Sequence, residues 1–435
     1  MRLGLISSLL CALLCCECGK ADKTGVPTPP MGWNSWICYG TSVTENEVLS
    51  QAGFMADNLL EYGWEYIVID AGWYAPGMVA LEDYLNPCPN QLIDSYGRLI
   101  VDEEKFPSAA GGAGFKPLSE KLHKKGLKLG IHIMRGIPVQ AYMANCPVKG
   151  TGYTARDIAD TVNVCDWYHG FYGMNMKHPG ASAYYKSLFD LYSSWGVDYV
   201  KADDLLSPAY AEDDISAISQ AAGEKGILLS LSPGPAPVEK ADHLRKVCAT
   251  WRISEDFWDD WNSLKKQFTL CNSWAEHTGS CHWADADMLP LGNISLRGMR
   301  GGPRRSSFTM PELRTMMTLW AMFKSPLMIG GDLMDLDEAT LSLLTNKEVL
   351  DLDQYSLGGH QVYCENNCII WSAEKGGSTY LAVFNIGDET LSYTLETAPG
   401  TDDIKEIWSQ NLFFPSGGKC DLEIPAHDVM LLKIR

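Results

Sequence analysis

Residues 197–208 read VDYVKADDLLSP, a short run rich in β-branched and aromatic residues that ends in a lysine and two aspartates. Its composition predicts a buried strand. Burying an unpaired carboxylate is costly, so the polar end belongs at an exposed strand terminus, where charges are paired or at work. Lys201 and Asp203 are two apart and share a face of such a strand, whereas Asp204 points the other way. In that arrangement the lysine ammonium favours an ionised Asp203, as a nucleophile requires. The blander alternative is a solvated strand end or a helix N-cap, a common place for aspartate.

Working outward, seven similar runs flank this one: MGWNSW (31–36), EYIVIDAGW (65–73), LKLGIHI (127–133), ILLSLSP (227–233), TWRIS (250–254), HWADADML (282–289) and SPLMIGGDL (325–333). Stretches with apolar residues at three- and four-residue spacing separate them, several ending at a glycine suited to a C-cap. Strand, helix and strand again imply parallel pairing, and eight strands close a barrel. The fold class expected is α/β, a (β/α)8 TIM barrel, rather than an open doubly wound sheet. No GxGxxG follows the first strand, and SAAGGAGFKP (108–117) lacks the Gly-Lys-Ser/Thr of a phosphate loop, so nucleotide folds lose their signature. The extra length after strands two and three (74–126 and 134–185) falls on the face where barrels place their chemistry, and predicts the walls of a pocket.

Beyond about residue 350 the pattern changes to QVYCE, CIIWSAE, TYLAVFNI, TLSYTLE, IKEIWS and HDVMLLKIR, with Gly-containing turns between. This predicts a C-terminal antiparallel β-sandwich. The first residues, MRLGLISSLLCALLCCECGK, place one arginine before an apolar run, the profile of a secretory signal and too short for a membrane span. The expected organisation is a signal peptide at 1–22, a catalytic barrel at 23–345 and a β-sandwich at 346–435. Export to the periplasm, cell surface or medium follows, with a lipid anchor on Cys15, Cys16 or Cys18 as the alternative form of the same leader.

The 435 residues carry a formal net charge of −19 and no offsetting basic cluster, which argues against nucleic acid as a partner. Setting aside the four cysteines of the leader leaves ten of the 14. An even number suits disulfides in an oxidising compartment, and Cys364 and Cys368 are near enough in sequence for a local loop; scattered buried thiols are the alternative. No HExxH, paired CxxC or EF-hand loop is present, so neither metal nor cofactor is expected. Asn293 lies in an Asn-x-Ser sequon, a glycosylation site only in a eukaryotic secretory pathway.

In a barrel, polar residues at the C-terminal strand ends converge on one site. They are Trp33 and Trp36, Asp70 and Trp73, His132, Lys201 with Asp203 and Asp204, Ser232, Arg252 with Glu255 and Asp256, and Asp285 with Asp287. Tryptophan faces stack on sugar C–H surfaces while Asp, Lys and Arg hydrogen-bond hydroxyls, a mixture that fits carbohydrate better than a phosphorylated metabolite. Two carboxylates from different strands, one ionised and one protonated, are what glycosidic cleavage requires.

The ordered motifs MGWNSW, GLKLGIHI, VDYVKAD, WRISEDFWDDW, WADADMLPLGN and LWAMFKSPLMIGGDL resemble those of the melibiase-type α-galactosidases, glycoside hydrolase family 27, over nearly the whole chain. The resemblance implies a retaining double displacement with Asp203 as nucleophile and Asp256 as acid/base, and Lys201 and Arg252 as sugar-binding and charge-tuning partners. It places Trp36 and Asp70 near O4 and O6 of a bound galactose, and reads Asp285 and Asp287 as structural support. The chain departs from the pattern at three places. The family's second aspartate at the end of strand two is Ala71 here. His132 stands for a frequent tyrosine, either lining the pocket or as a hydrogen-bonded structural residue. Ser232 stands where a glutamate and tryptophan often read the sugar 2-position.

The function expected is an exported, retaining, exo-acting α-galactosidase on oligosaccharide or glycan substrates. The alternatives keep the machinery for β-L-arabinopyranosides or α-N-acetylgalactosaminides, or make the chain a sugar-binding protein, which would have no need of both Asp203 and Asp256.

Overall fold

The computed structural model describes residues 24–78 and 81–434; the segment read as a signal peptide lies outside the described residues. The eight expected strands form one parallel sheet: β1 (Met31–Asn34), β2 (Tyr66–Ile69), β3 (Lys128–Met134), β4 (Tyr199–Asp203), β5 (Leu228–Leu231), β6 (Thr250–Arg252), β7 (Trp283–Asp285) and β8 (Leu327–Ile329). Their order runs from β7 through β1 to β8. The sheet closes where Leu289, just past β7, bridges Ile329 in parallel: its N–H donates to Met328 O at 2.7 Å, and Gly330 N donates to its carbonyl at 2.9 Å. Strands of three to seven residues suffice, since their inward side chains are held by neighbours on both sides.

Helices return the chain from each strand. After β1, α1 (Glu45–Asn58) is started by a capping box in which Thr44 N donates to Glu47 Oε2 at 2.9 Å. α2 (Lys116–His123), α3 (Pro179–Ser194), α4 (Glu212–Gly223), α5 (Ala241–Val247) and α6 (Trp261–Trp274) follow β2 to β6 in turn. After β7, α7 (Met310–Phe323) opens on the Thr309–Glu312 capping box and is buried nearly all round. That burial follows from its place, with the barrel on one side and the C-terminal domain on the other.

The C-terminal domain contains a six-stranded antiparallel sheet, β9 (Leu357–Glu365), β10 (Cys368–Lys375), β11 (Ser378–Asn385), β16 (Val429–Ile434), β13 (Ile404–Glu406) and β14 (Leu412–Phe413) in spatial order. It faces a pair formed by β12 (Leu391–Glu396) and β15 (Lys419–Ile424). Val383, Leu395, Leu422, Ile424 and Leu432 fill the space between. Strand β15, which the sequence reading omits, alternates buried Cys420, Leu422 and Ile424 with exposed residues, the period-two signature of a half-buried strand.

The described cysteines are all free thiols, and the local Cys364–Cys368 loop expected from sequence does not form. Glu365 pairs with Cys368 across the hairpin, and Cys364 with Ile369. Directly paired residues share a face and successive ones alternate, so the two sulfurs lie on opposite sides of the ribbon.

The two domains are clamped by side chains of α6 and α7. Arg314 Nε donates to Asp428 Oδ1 at 3.0 Å, Trp408 Nε1 donates to Thr318 Oγ1 at 2.9 Å, and the Trp261 and His427 rings stack at 4.1 Å. Arg314→Ala strands the buried Asp428 carboxylate, and should lower the thermal midpoint by about 2–6 °C with the hydrolytic rate at 25 °C unchanged. An unaltered melting curve would show that the pair does not hold the domains.

Candidate active site

The C-terminal ends of β1 to β6 open into a cavity of about 520 Å³. Trp36, Asp70, His132, Lys201, Asp203 and Asp256 line it, with Ala71, Tyr84, Trp167, Glu255, Trp258 and Arg300. Six of the eight catalytic and sugar-binding residues expected from sequence line this cavity; Arg252 is buried behind Asp256, and Ser232 is enclosed. A larger cleft of about 780 Å³ lies on the other side of the end of β4, lined by Arg135, Asn163, Asp204, Tyr210 and Asp214. It shares Pro208 with the first cavity but none of Asp70, Lys201, Asp203 or Asp256.

The register explains how the charges meet. His132 on β3 pairs with Lys201 on β4, and Met134 with Asp203, so His132, Lys201 and Asp203 all face the barrel interior. Lys201 Nζ binds Asp70 Oδ2 at 2.8 Å, and Asn34 Nδ2 donates to the same oxygen at 2.9 Å. Asp70 Oδ1 accepts from Ala71 N at 2.8 Å. Burial opposes ionisation of Asp70, but the Lys201 charge, then His132, holds its carboxyl well below the usual range. Lys201 is itself held above its ordinary value, against the effect of burial, by Asp70 and then Asp203.

Asp203 accepts from His132 Nε2 at 3.0 Å on Oδ2 and from Asp204 N at 3.0 Å on Oδ1. Burial alone would raise its pKa; the hydrogen bond and electrostatic attraction of His132, and then the Lys201 ammonium, bring it below the usual carboxylate value. Sequence reasoning attributed this effect to Lys201 alone, but the direct partner is His132. Asp204 turns away, as the alternation requires, and takes Arg135 Nη2 at 2.8 Å.

Asp256 stands in a different environment. Its side chain is 55% exposed, against 12% for Asp203, and Arg252 Nη2 reaches its Oδ1 at 3.3 Å. Arg252 is fixed from below by Asp287 Oδ1 at 2.8 Å, and Asp287 Oδ2 accepts Phe257 N at 2.7 Å, tying the loop that carries Asp256. Asp285 and Asp287 do not line the main cavity. They border a void of about 20 Å³ beneath it with Asn34, Tyr199 and Arg252.

Other expected residues are placed differently. Ser232 is 1% exposed, its Oγ enclosed beneath the cavity, where Pro233 and Gly234 form the wall instead. A Cβ at Gly234 would lie 2.3 Å from Ser254 O, so the glycine lets this wall pack on the backbone after β6. Trp33 and Trp73 are buried in the core, donating Nε1–H to Gly331 O and His132 O at 2.8 Å. The insertions supply Tyr84 and Trp167 as walls. Sequence reasoning did not single out these two, nor Asn34, Trp258 and Arg300; only Asn34 and Trp258 carried a signal, sitting inside MGWNSW and WRISEDFWDDW.

An aromatic-walled pocket at the mouth of a (β/α)8 barrel, with two buried ionised carboxylates, Asp70 and Asp203, and the more exposed Asp256, defines a glycoside hydrolase. Residues 169–355 match the family model described as alpha galactosidase A, and residues 365–434 that of the alpha galactosidase C-terminal beta sandwich domain. The chain belongs to this α-galactosidase family, glycoside hydrolase family 27. A β-L-arabinopyranosidase of the family from Geobacillus stearothermophilus has 44% identity and a TM-score of 0.91, over 94% of this chain and 96% of its own. The crystal structure of a putative α-N-acetylgalactosaminidase from Bacillus halodurans has 43% identity and a TM-score of 0.84, over 94% and 99%. Alpha-galactosidase 3 of Arabidopsis thaliana is 28% identical over 92% of this chain and 80% of its own.

Proposed function

We propose that the protein removes terminal β-L-arabinopyranosyl residues from oligosaccharides or glycans by a retaining double displacement. The observation that carries the choice of sugar is Ala71, which lines the cavity beside Asp70 and offers only a methyl group where the family pattern has a second aspartate. β-L-Arabinopyranose is α-galactose without its hydroxymethyl group, so a pocket with one acceptor fewer beside Asp70 gives up nothing with the pentose. The 44% identity to the Geobacillus enzyme supports the same reading. α-Galactosides are the second reading, favoured by relatives such as the Arabidopsis enzyme at 28% identity. An α-N-acetylgalactosaminide gains nothing from Ser232, whose hydroxyl is enclosed.

In the mechanism, Asp203 attacks the anomeric carbon while Asp256 protonates the departing glycosidic oxygen, leaving a glycosyl ester. Asp256 then takes a proton from water, which attacks the same carbon and releases Asp203. Asp70 and Lys201 hydrogen-bond ring hydroxyls and Trp36 offers an apolar face.

Hydrolysis of p-nitrophenyl β-L-arabinopyranoside, α-galactopyranoside and α-N-acetylgalactosaminide tests the choice of sugar. The arabinoside should be preferred in kcat/KM by about tenfold or more, the scale of one hydroxyl contact to a charged group, and Ala71→Asp should shift preference toward the galactoside. Preference for the galactoside by the native chain would instead make Ala71 a tolerated variation.

A further inference from the structure

We infer that His132 is a positioning residue for the reaction, donating its Nε2–H to Asp203 Oδ2 and so fixing the carboxylate from which attack occurs. The inference rests on the proposed role of Asp203 and extends it to a residue for which sequence reasoning left two roles open.

Three observations support it. His132 is 1% exposed, and its Nδ1 has no hydrogen-bond partner among the described residues, so the ring is not held by a structural acceptor on its other side. An ionised carboxylate only accepts, which makes Nε2 the protonated nitrogen of the 3.0 Å contact. The rotation of Asp203 is then set at both oxygens, by His132 at Oδ2 and Asp204 N at Oδ1. The Lys201 ammonium makes its ion pair with Asp70 instead.

The charged and titratable groups around this pair are Lys201 on β4, Asp70 at the end of β2, Arg252 on β6, and Tyr84 and Cys165 from the insertions, with Asp204 turned away on the far side of β4 and paired to Arg135. Burial favours protonation of Asp203, while the His132 bond and then the Lys201 ammonium oppose it. Removing the bond therefore raises the pH at which Asp203 loses its charge.

The test is kcat/KM against pH for the native chain, His132→Phe and His132→Gln. Phenylalanine fills the space without a donor, while glutamine restores an amide N–H at comparable reach. The phenylalanine variant should show an acid limb displaced upward by about one pH unit and the glutamine variant a limb near the native position, with the alkaline limb unmoved in both. An acid limb at the native pH in the phenylalanine variant overturns the inference, whatever its overall rate. Should that variant fail to fold, His132→Asn, whose amide is too short to reach Asp203, takes its place under the same criteria. Failure of the Asp203 assignment would show separately, as hydrolysis that survives Asp203→Asn.

Discussion

Asp203→Asn should lower kcat/KM by about 10⁴-fold or more while leaving sugar binding measurable. The amide has the shape of the carboxylate: its oxygen can accept from Asp204 N while its NH2 donates to His132 Nε2, whose proton moves to the unpartnered Nδ1, so the pocket is preserved. It is uncharged and cannot form the glycosyl ester. Binding measured by calorimetry, with hydrolysis lost, separates catalysis from recognition and excludes a chain that merely holds sugar. Hydrolysis at the native rate would remove Asp203 as nucleophile.

The second large effect is expected from Asp256→Ala, and it depends on the leaving group. A natural glycoside needs a proton on its departing oxygen, so its hydrolysis should fall by about 10²–10⁴-fold. A nitrophenolate leaves without that proton. With such a substrate the first step survives, the ester accumulates for want of a base, and added azide restores turnover by attacking it. In the native enzyme activity falls on the acid side as Asp203, whose pKa lies below the usual carboxylate range, becomes protonated. The alanine variant should keep that acid limb for the aryl substrate, because the groups that set it are untouched. Equal losses for both substrates would exclude Asp256 as the acid/base.

Much of this site was legible in the chain because strand geometry is local. The i, i+2 spacing of Lys201 and Asp203 fixes a shared face, the 250–256 segment returns Arg252 and Asp256 to the same mouth, and eight strand-like runs fix the barrel that brings them together. What was not legible depends on register and on loops. Which base contacts Asp203 is decided by the stagger of β3 against β4, which pairs His132 with Lys201 and leaves the imidazole reaching Asp203. Ser232 reads as a strand-end polar residue, yet β5 ends at Leu231, two residues short of the run read from sequence, and Pro233 and Gly234 line the cavity in its place. Tyr84 and Trp167 come from long irregular insertions that carry no periodicity, so only the composition of those segments pointed to a pocket wall. The Cys364–Cys368 loop failed for a related reason: four residues of separation say nothing about which face of a hairpin each sulfur occupies.

The most direct test of the account is to trap the intermediate. The protein is incubated with a 2-fluorinated β-L-arabinopyranosyl substrate bearing an activated leaving group, and its peptides are read by mass spectrometry. The expected result is a single fluoropentosyl adduct on the peptide that contains Asp203, absent from Asp203→Asn. An adduct on any other carboxylate, or hydrolysis of the arabinopyranoside with inversion and no adduct, would contradict it.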